Sequence, residues 1–188
     1  MSTGTLIAVI VAVVVVLIIV AAAVGMLVRR RRLRRDFGDE YDRVVEEQGG
    51  RAAADSELRQ RQRRHDELEL RELSPEVRQR YADEWRGVQE RFVDRPEGAV
   101  GEADTLVIRL MRERGYPTDG YEQQVQDLSV EHSRTLQHYR TAHAVNQRSQ
   151  GGGATTEELR GAMVHYRALF DDLLGSGATG GASLRDRE

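Results

Sequence analysis

The sequence predicts an all-α protein: an N-terminal transmembrane helix, a charged helical spacer, and then a four- to five-helix bundle. Three observations predict it. Residues 6–28 carry no charge and are almost wholly Val, Ile, Leu and Ala. After position 74, apolar residues recur at intervals of three and four, and no stretch alternates with the period of two that a half-buried strand requires.

The apolar run comes first. At about 1.5 Å of rise per residue, its 23 residues are long enough to cross a hydrocarbon core of roughly 30 Å as one helix. Each central residue favours insertion by about 0.3–0.6 kcal/mol, so the sum is decisive. Residues 1–5 bring only the α-amino group, whereas Arg29, Arg30, Arg31, Arg32, Arg34 and Arg35 follow at once. Basic flanks stay on the cytoplasmic side, which predicts a single-pass protein of the cell's inner (plasma) membrane with its N-terminus out and the rest in the cytoplasm. The arginines are expected to contact anionic headgroups, at about 1 kcal/mol each near the surface. A cleaved signal peptide is the rival reading, since Ala21, Ala22 and Ala23 offer small residues for cleavage, but no basic region precedes the run and the arginines beyond it resist export. The chain has no cysteine, which suits a reducing compartment.

All 28 basic residues are arginine, a usage that points to a high-GC bacterial genome and removes Schiff-base and lysine–phosphate chemistry. Taking the six arginines of the membrane flank from the net charge of −3 leaves −9 for the rest, the wrong sign for a nucleic-acid-binding domain. The length of 188 residues, less anchor and polar segments, leaves room for one domain of ordinary size.

Residues 36–73 are dense in charge and poor in large apolar side chains. Glu57 with Arg61, Arg63 with Glu67, and Glu67 with Arg71 are i,i+4 pairs that support a solvated helix by about 0.2–0.5 kcal/mol each. Ala54, Leu58, Arg61, His65 and Leu68 follow a coiled-coil spacing, so self-association through 51–73 is the alternative, although Arg61 and His65 interrupt its seam. Gly49-Gly50 predicts a break.

At Ser74-Pro75 the pattern changes to an N-cap followed by proline at the first helical position. Val77, Tyr81, Trp85, Val88 and Phe92 then share one helical stripe that must be buried. Asp94 and Glu97 have capping-box spacing around Pro96, opening a second helix with Val100, Ala103, Leu106 or Val107, Leu110 and Met111 inside. Gly115 suits a left-handed position at its end, and Pro117 follows. A third helix is predicted from Tyr121 to Leu128 with Ser129 as a cap for the next, which carries Leu136, Tyr139 and His143 to about Arg148. Gly151, Gly152 and Gly153 end it. Thr155 and Glu158 form a second capping-box pair before a last helix carrying Leu159, Met163, Tyr166, Leu169 or Phe170, and Leu173. The bundle thus occupies 74–174, and the Gly- and Ser-rich residues 175–188 are expected to form a disordered tail.

Tyr81, Trp85, Gln89, Phe92, Val93, Asp94 and Pro96, then Ala103, Asp104, Leu106, Val107, Met111, Arg114, Gly115, Tyr116 and Pro117, and finally the segment from Thr155 through His165, Tyr166, Arg167 and Phe170 to Leu174, make a recognisable pattern. It resembles an uncharacterised family of single-pass membrane proteins of high-GC bacteria, whose members are described only as hypothetical, membrane or secreted proteins. The resemblance covers roughly the last half of the chain. It implies a shared helical domain and no particular activity.

Chemical motifs are few. Residues 175–180 spell a dinucleotide-binding Gly pattern, but that loop works only between a strand and a helix. His65, His132, His138, His143 and His165 lack metal-ligand spacing, and the echo between His138-Tyr139-Arg140 and His165-Tyr166-Arg167 requires tertiary contact to matter, so no metal and no cofactor are predicted. Asp83 and Glu84 are adjacent on a helix and point apart, Asp94 and Glu97 are engaged as caps, and Ser129 with His132 lacks a third partner, so no catalytic residue is assigned. Tyr81, Trp85, Phe92, Tyr116, Tyr139 and Tyr166 suit either an interface or the core, and their placement among aliphatics favours the core. The sequence therefore predicts a non-enzymatic, membrane-tethered cytoplasmic interaction or scaffold domain with lipid and an unidentified protein as partners. The alternatives are a ligand binder or enzyme with a pocket near His138 or His165, and an exported protein.

Overall fold

A computed structural model describes residues 3–175, with side chains at 14–28 and 30–175. The described residues are all-helical. In chain order they form α1 (Thr3–Phe37), α2 (Asp39–Glu47), α3 (Arg51–Asp66), α4 (Pro75–Asp94), α5 (Pro96–Glu113), α6 (Tyr121–Glu131), α7 (Ser133–Ser149) and α8 (Thr156–Leu173). The predicted tail, with its Gly pattern, lies almost entirely in 176–188, outside the described residues.

Two compact units result, Met1–Leu58 and Arg59–Glu188. In the first, α1 continues without a break from the apolar run through the arginines to Phe37. Gly38, at φ 52° and ψ −129°, then turns the chain into α2. Leu33 and Phe37 of α1, Tyr41 and Val44 of α2, and Ala54 and Leu58 of α3 are buried. The Tyr41 hydroxyl joins all three helices, accepting from Arg30 Nε at 3.1 Å and donating to Asp55 at 2.9 Å.

The second unit is the predicted bundle, built from α4 to α8. Its core joins Trp85 and Val88 of α4, the Val100–Ala103–Leu106–Val107–Leu110–Met111 face of α5, Leu128 of α6, Leu136 and Tyr139 of α7, and Leu159, Tyr166, Leu169 and Phe170 of α8. Ser74 caps α4 by accepting from the Val77 N–H at 3.3 Å, with Pro75 in the first turn. At the start of α8 both halves of the Thr155–Glu158 capping box are made. Gly115 ends α5 at φ 95°, and the Tyr116 N–H to Met111 C=O (3.0 Å) and Gly115 N–H to Arg112 C=O (3.0 Å) bonds complete a Schellman motif.

Three local expectations are corrected. Arg95, not Asp94, is the N-cap of α5 and makes no side-chain cap bond. The reason is Pro96, whose ring disfavours helical geometry in the residue before it; Arg95 adopts φ −140°, ψ 72°, and α4 runs on through Asp94. Ser129 lies inside α6, where its hydroxyl donates to the Gln126 carbonyl at 2.6 Å, and His132 occupies the junction with α7 instead.

The third correction concerns 36–73, read from its charge as a solvated helix. Phe37, Tyr41, Val44, Ala54, Leu58, Arg61 and His65 are buried, so the stripe that suggested self-association is covered by the chain itself. Helix α3 stops at Asp66. Beyond it, Leu68, Leu70 and Leu73 pack on the bundle core from a non-helical strap, and the Arg71 N–H donates to the Arg114 carbonyl at 2.9 Å. Burying Leu73 and partly burying Leu68 and Leu70 outweighs the i,i+4 pairing of Glu67 with Arg71, since one fully buried leucine contributes about 1.5–3 kcal/mol and such a pair under about 0.5.

Candidate functional site

Of the six aromatic candidates, Tyr81, Trp85, Tyr116, Tyr139 and Tyr166 are buried, and Phe92 is half-buried against the core. They are core residues. Each phenol is spent internally: Tyr81 donates to the Arg109 carbonyl (3.2 Å), Tyr116 to Glu131 (3.1 Å), Tyr139 to Gln124 (2.7 Å) and Tyr166 to Asp104 (2.8 Å). Burial, reinforced by the carboxylate beside each, pushes Tyr116, Tyr139 and Tyr166 well above the ordinary tyrosine range, so all three stay protonated donors.

Two polar clusters are embedded in the bundle. In the first, Asp104 of α5 accepts from Tyr166 of α8 and faces His143 Nδ1 of α7 at 3.5 Å. Tyr121 of α6 stacks on His143 with ring centroids 4.0 Å apart. Four helices thus meet around one carboxylate. The second cluster surrounds the α6–α7 junction. His132 Nδ1 lies 2.9 Å from Asp172 Oδ2, and the same oxygen accepts from Thr135 Oγ1 at 2.6 Å. Burial raises the Asp172 pKa, but the hydrogen bonds from His132 and Thr135 outweigh it and hold the carboxyl below its ordinary value. The ionised Asp172 therefore takes the Nδ1 proton of His132 in a hydrogen bond, leaving Nε2 as the opposite end of the ring.

That carboxylate–imidazole pair has the form of a catalytic dyad but lacks access. His132 is 6 % exposed, and its Nε2 is buried without a hydrogen-bond partner, 4.0 Å from Glu131. His65 Nε2, equally buried, approaches the same carboxylate at 3.8 Å from the other side. Both rings lean on Tyr116, at centroid distances of 6.2 and 6.1 Å. A base must reach the proton it takes, and these nitrogens face the interior. The cluster ties the end of α3, the α5–α6 loop and the α6–α7 junction into one piece.

Asp172 supplies a pH test. Its folded-state pKa is lowered, so its contribution to stability is present above the unfolded carboxylate value near 3.8 and is lost as pH falls through the folded one. Asp172→Asn is expected to be less stable than the unaltered chain at neutral pH, with the gap closing below about pH 4. Thermal unfolding by circular dichroism from pH 7 to pH 3 checks it; a gap independent of pH would refute the assignment.

Outside these clusters, a groove of about 690 Å³ runs between α4 and α5 over Gly87, Gly98 and Gly101, with Val88 and Leu106 among its lining. Its rim charges pair across it, Arg109 with Glu84 and Arg91 with Glu102. The groove therefore carries little net charge, and its apolar floor is suited to a side chain or helix of a partner more than to an ionic substrate.

In the first unit, several of the arginines assigned to headgroups are already engaged. Arg34 pairs with Asp42 at 3.0 Å, Arg32 and Arg35 both lie 3.7 Å from Asp36, and Arg30 donates to Tyr41. The Arg32, Arg34 and Arg35 side chains remain largely exposed, so these pairs contribute under about 1 kcal/mol. The Arg29 side chain lies outside the described residues. Preceding the arginines, Val14, Val15, Val16, Leu17, Ile18, Ile19 and Val20 are consecutive and all exposed, so α1 presents apolar surface around its whole circumference. Among the described residues no helix is long and apolar enough to cross a membrane. The described side chains begin at Val14, partway along the apolar run.

Comparison with known proteins finds no matching family model, no matching curated protein and no matching solved structure.

Proposed function

We propose that the chain is a single-pass, membrane-tethered helical interaction module, non-catalytic, with its N-terminus outside and its bundle on the cytoplasmic face. One observation carries the reading: consecutive exposed aliphatic side chains encircle a helix that continues directly into an arginine cluster. A helix that is apolar all round belongs in a hydrocarbon environment, and the flanking arginines give it a side. The polar groups of the bundle support a structural rather than a catalytic role, because the tyrosine hydroxyls and Asp172 are spent on contacts between helices. Tethering would confine the module to the plane of the bilayer and raise its effective concentration toward partners there.

Fractionation tests the anchor. The full chain is expected in the membrane pellet, resistant to high salt, and a chain lacking residues 6–28 in the soluble fraction. Equal distribution of the two would overturn the reading. Protease added to intact spheroplasts should spare the bundle; digestion from outside would reverse the topology, and a bundle recovered from the medium without its first two dozen residues would mean export.

A further inference from the structure

The repeated His-Tyr-Arg at 138–140 and 165–167 becomes one contact in space. Helices α7 and α8 pack side by side, and the two tyrosines meet edge to face at a centroid distance of 6.2 Å. One layer outward, the two histidines meet as well, with Nδ1 to Nδ1 2.8 Å and ring centroids 5.0 Å apart. His138 is exposed and His165 half-buried, so the pair faces solvent.

We propose that His138 and His165 form a two-histidine chelate for a divalent transition-metal ion of tetragonal preference, Cu²⁺ or Ni²⁺, with Zn²⁺ bound less tightly. Two nitrogens 2.8 Å apart at the surface can serve one ion as adjacent ligands with metal–nitrogen bonds of about 2.0 Å, and a site of two imidazoles completed by water suits Cu²⁺ or Ni²⁺ better than the closed four-ligand set of a structural Zn²⁺ site. In the metal-free chain one imidazole donates its Nδ1 proton to the other; on binding, the donor ring gives up that proton and takes one at Nε2, so both rings stay neutral and both Nδ1 lone pairs turn to the ion. Tyr139 and Tyr166 fix the layer beneath, so the two backbones need not move. The remaining ligand positions are left to water or to a side chain of another molecule.

Sequence spacing alone could not join this pair, because its members are 27 residues apart and neither has a second ligand at i+3 or i+4 on its own helix.

The test uses the full chain without an affinity tag, in detergent micelles at pH 7.5. Titration with NiCl2, followed calorimetrically, is expected to show one site per chain, with His138→Gln and His165→Gln each weakening it at least ten-fold and ZnCl2 binding more weakly than NiCl2. Equal affinity in the unaltered chain and both variants would overturn the proposal, as would absence of saturable binding. A second measurement needs no substitution: Ni²⁺ should selectively broaden the proton resonances of residues around 138 and 165 in the unaltered chain. Broadening centred elsewhere refutes the assignment.

Discussion

Trp85→Ala should cost the bundle about 3–5 kcal/mol, a large part of the 5–15 kcal/mol that a domain of this kind has in total. Trp85 is fully buried and stacks on Phe170 with centroids 4.7 Å apart, joining α4 to α8, and the Arg167 guanidinium lies over both rings at 5.6 and 5.9 Å. Truncation removes the stack, opens a cavity and takes one face from the Arg167 cation. The indole carries its own penalty, because Nε1 is buried with no hydrogen-bond partner. An unsatisfied buried N–H costs about 1–3 kcal/mol, so Trp85→Phe, which keeps a ring on Phe170 and removes that donor, should lose far less than Trp85→Ala. Thermal and urea unfolding of the full chain in detergent, followed by circular dichroism at 222 nm, gives both values. Similar losses for Phe and Ala would show that keeping a ring on Phe170 contributes nothing.

Gly115→Ala ranks next. Two costs coincide at this residue: φ is 95°, and an added Cβ would sit 2.5 Å from the Glu69 carbonyl oxygen, a backbone atom that cannot rotate away. The left-handed conformation alone costs a non-glycine residue about 1–2 kcal/mol. Relieving the clash means moving the strap that carries Leu68, Leu70 and Leu73, which the Arg71–Arg114 bond holds in place, so the total is on the order of 3–4 kcal/mol. Gly152 is the internal control, with φ 72° but nothing within 4 Å of its added Cβ. Gly152→Ala should show the conformational cost alone. Hydrogen exchange at the Arg71 amide reads the strap directly: it should accelerate in Gly115→Ala and stay unchanged in Gly152→Ala.

The contrast between those glycines illustrates what the sequence could and could not reveal. Gly115 was legible as a helix end, because an apolar stripe stops before it and proline follows. Its close approach to Glu69 was not, since that requires knowing that 67–73 folds back onto α5. The strap did leave a trace: Glu67-Leu68-Glu69-Leu70 alternates polar and apolar, a period-two pattern that the i,i+4 charge pairs of the same segment obscured. Ser74-Pro75, the Thr155–Glu158 box and the inner face of α5 were readable because caps and helical stripes are local. At Arg95 the signal lies in Pro96, whose restriction on the preceding residue overrides the capping-box spacing of Asp94 and Glu97. Burial of Arg61 and His65 runs against composition; His65 packs beside Tyr116 and Glu131, which only the tertiary fold brings to it. The Asp104–His143 and His132–Asp172 contacts left no trace in the sequence because each joins different helices, whereas the His138–His165 pair showed only as an echoed His-Tyr-Arg whose meaning depended on the packing of α7 against α8.

The unbroken course of α1 has a mechanical consequence. At about 1.5 Å per residue its 35 residues measure roughly 50 Å, against the roughly 30 Å of a hydrocarbon layer. Under the proposed anchoring of 6–28, residues 29–37 therefore carry about 13 Å of stiff rod out of the lipid, with no joint before Gly38. On that reading a twist or tilt imposed at the lipid end would be carried along the helix to Leu33 and Phe37, making it an axle rather than a leash.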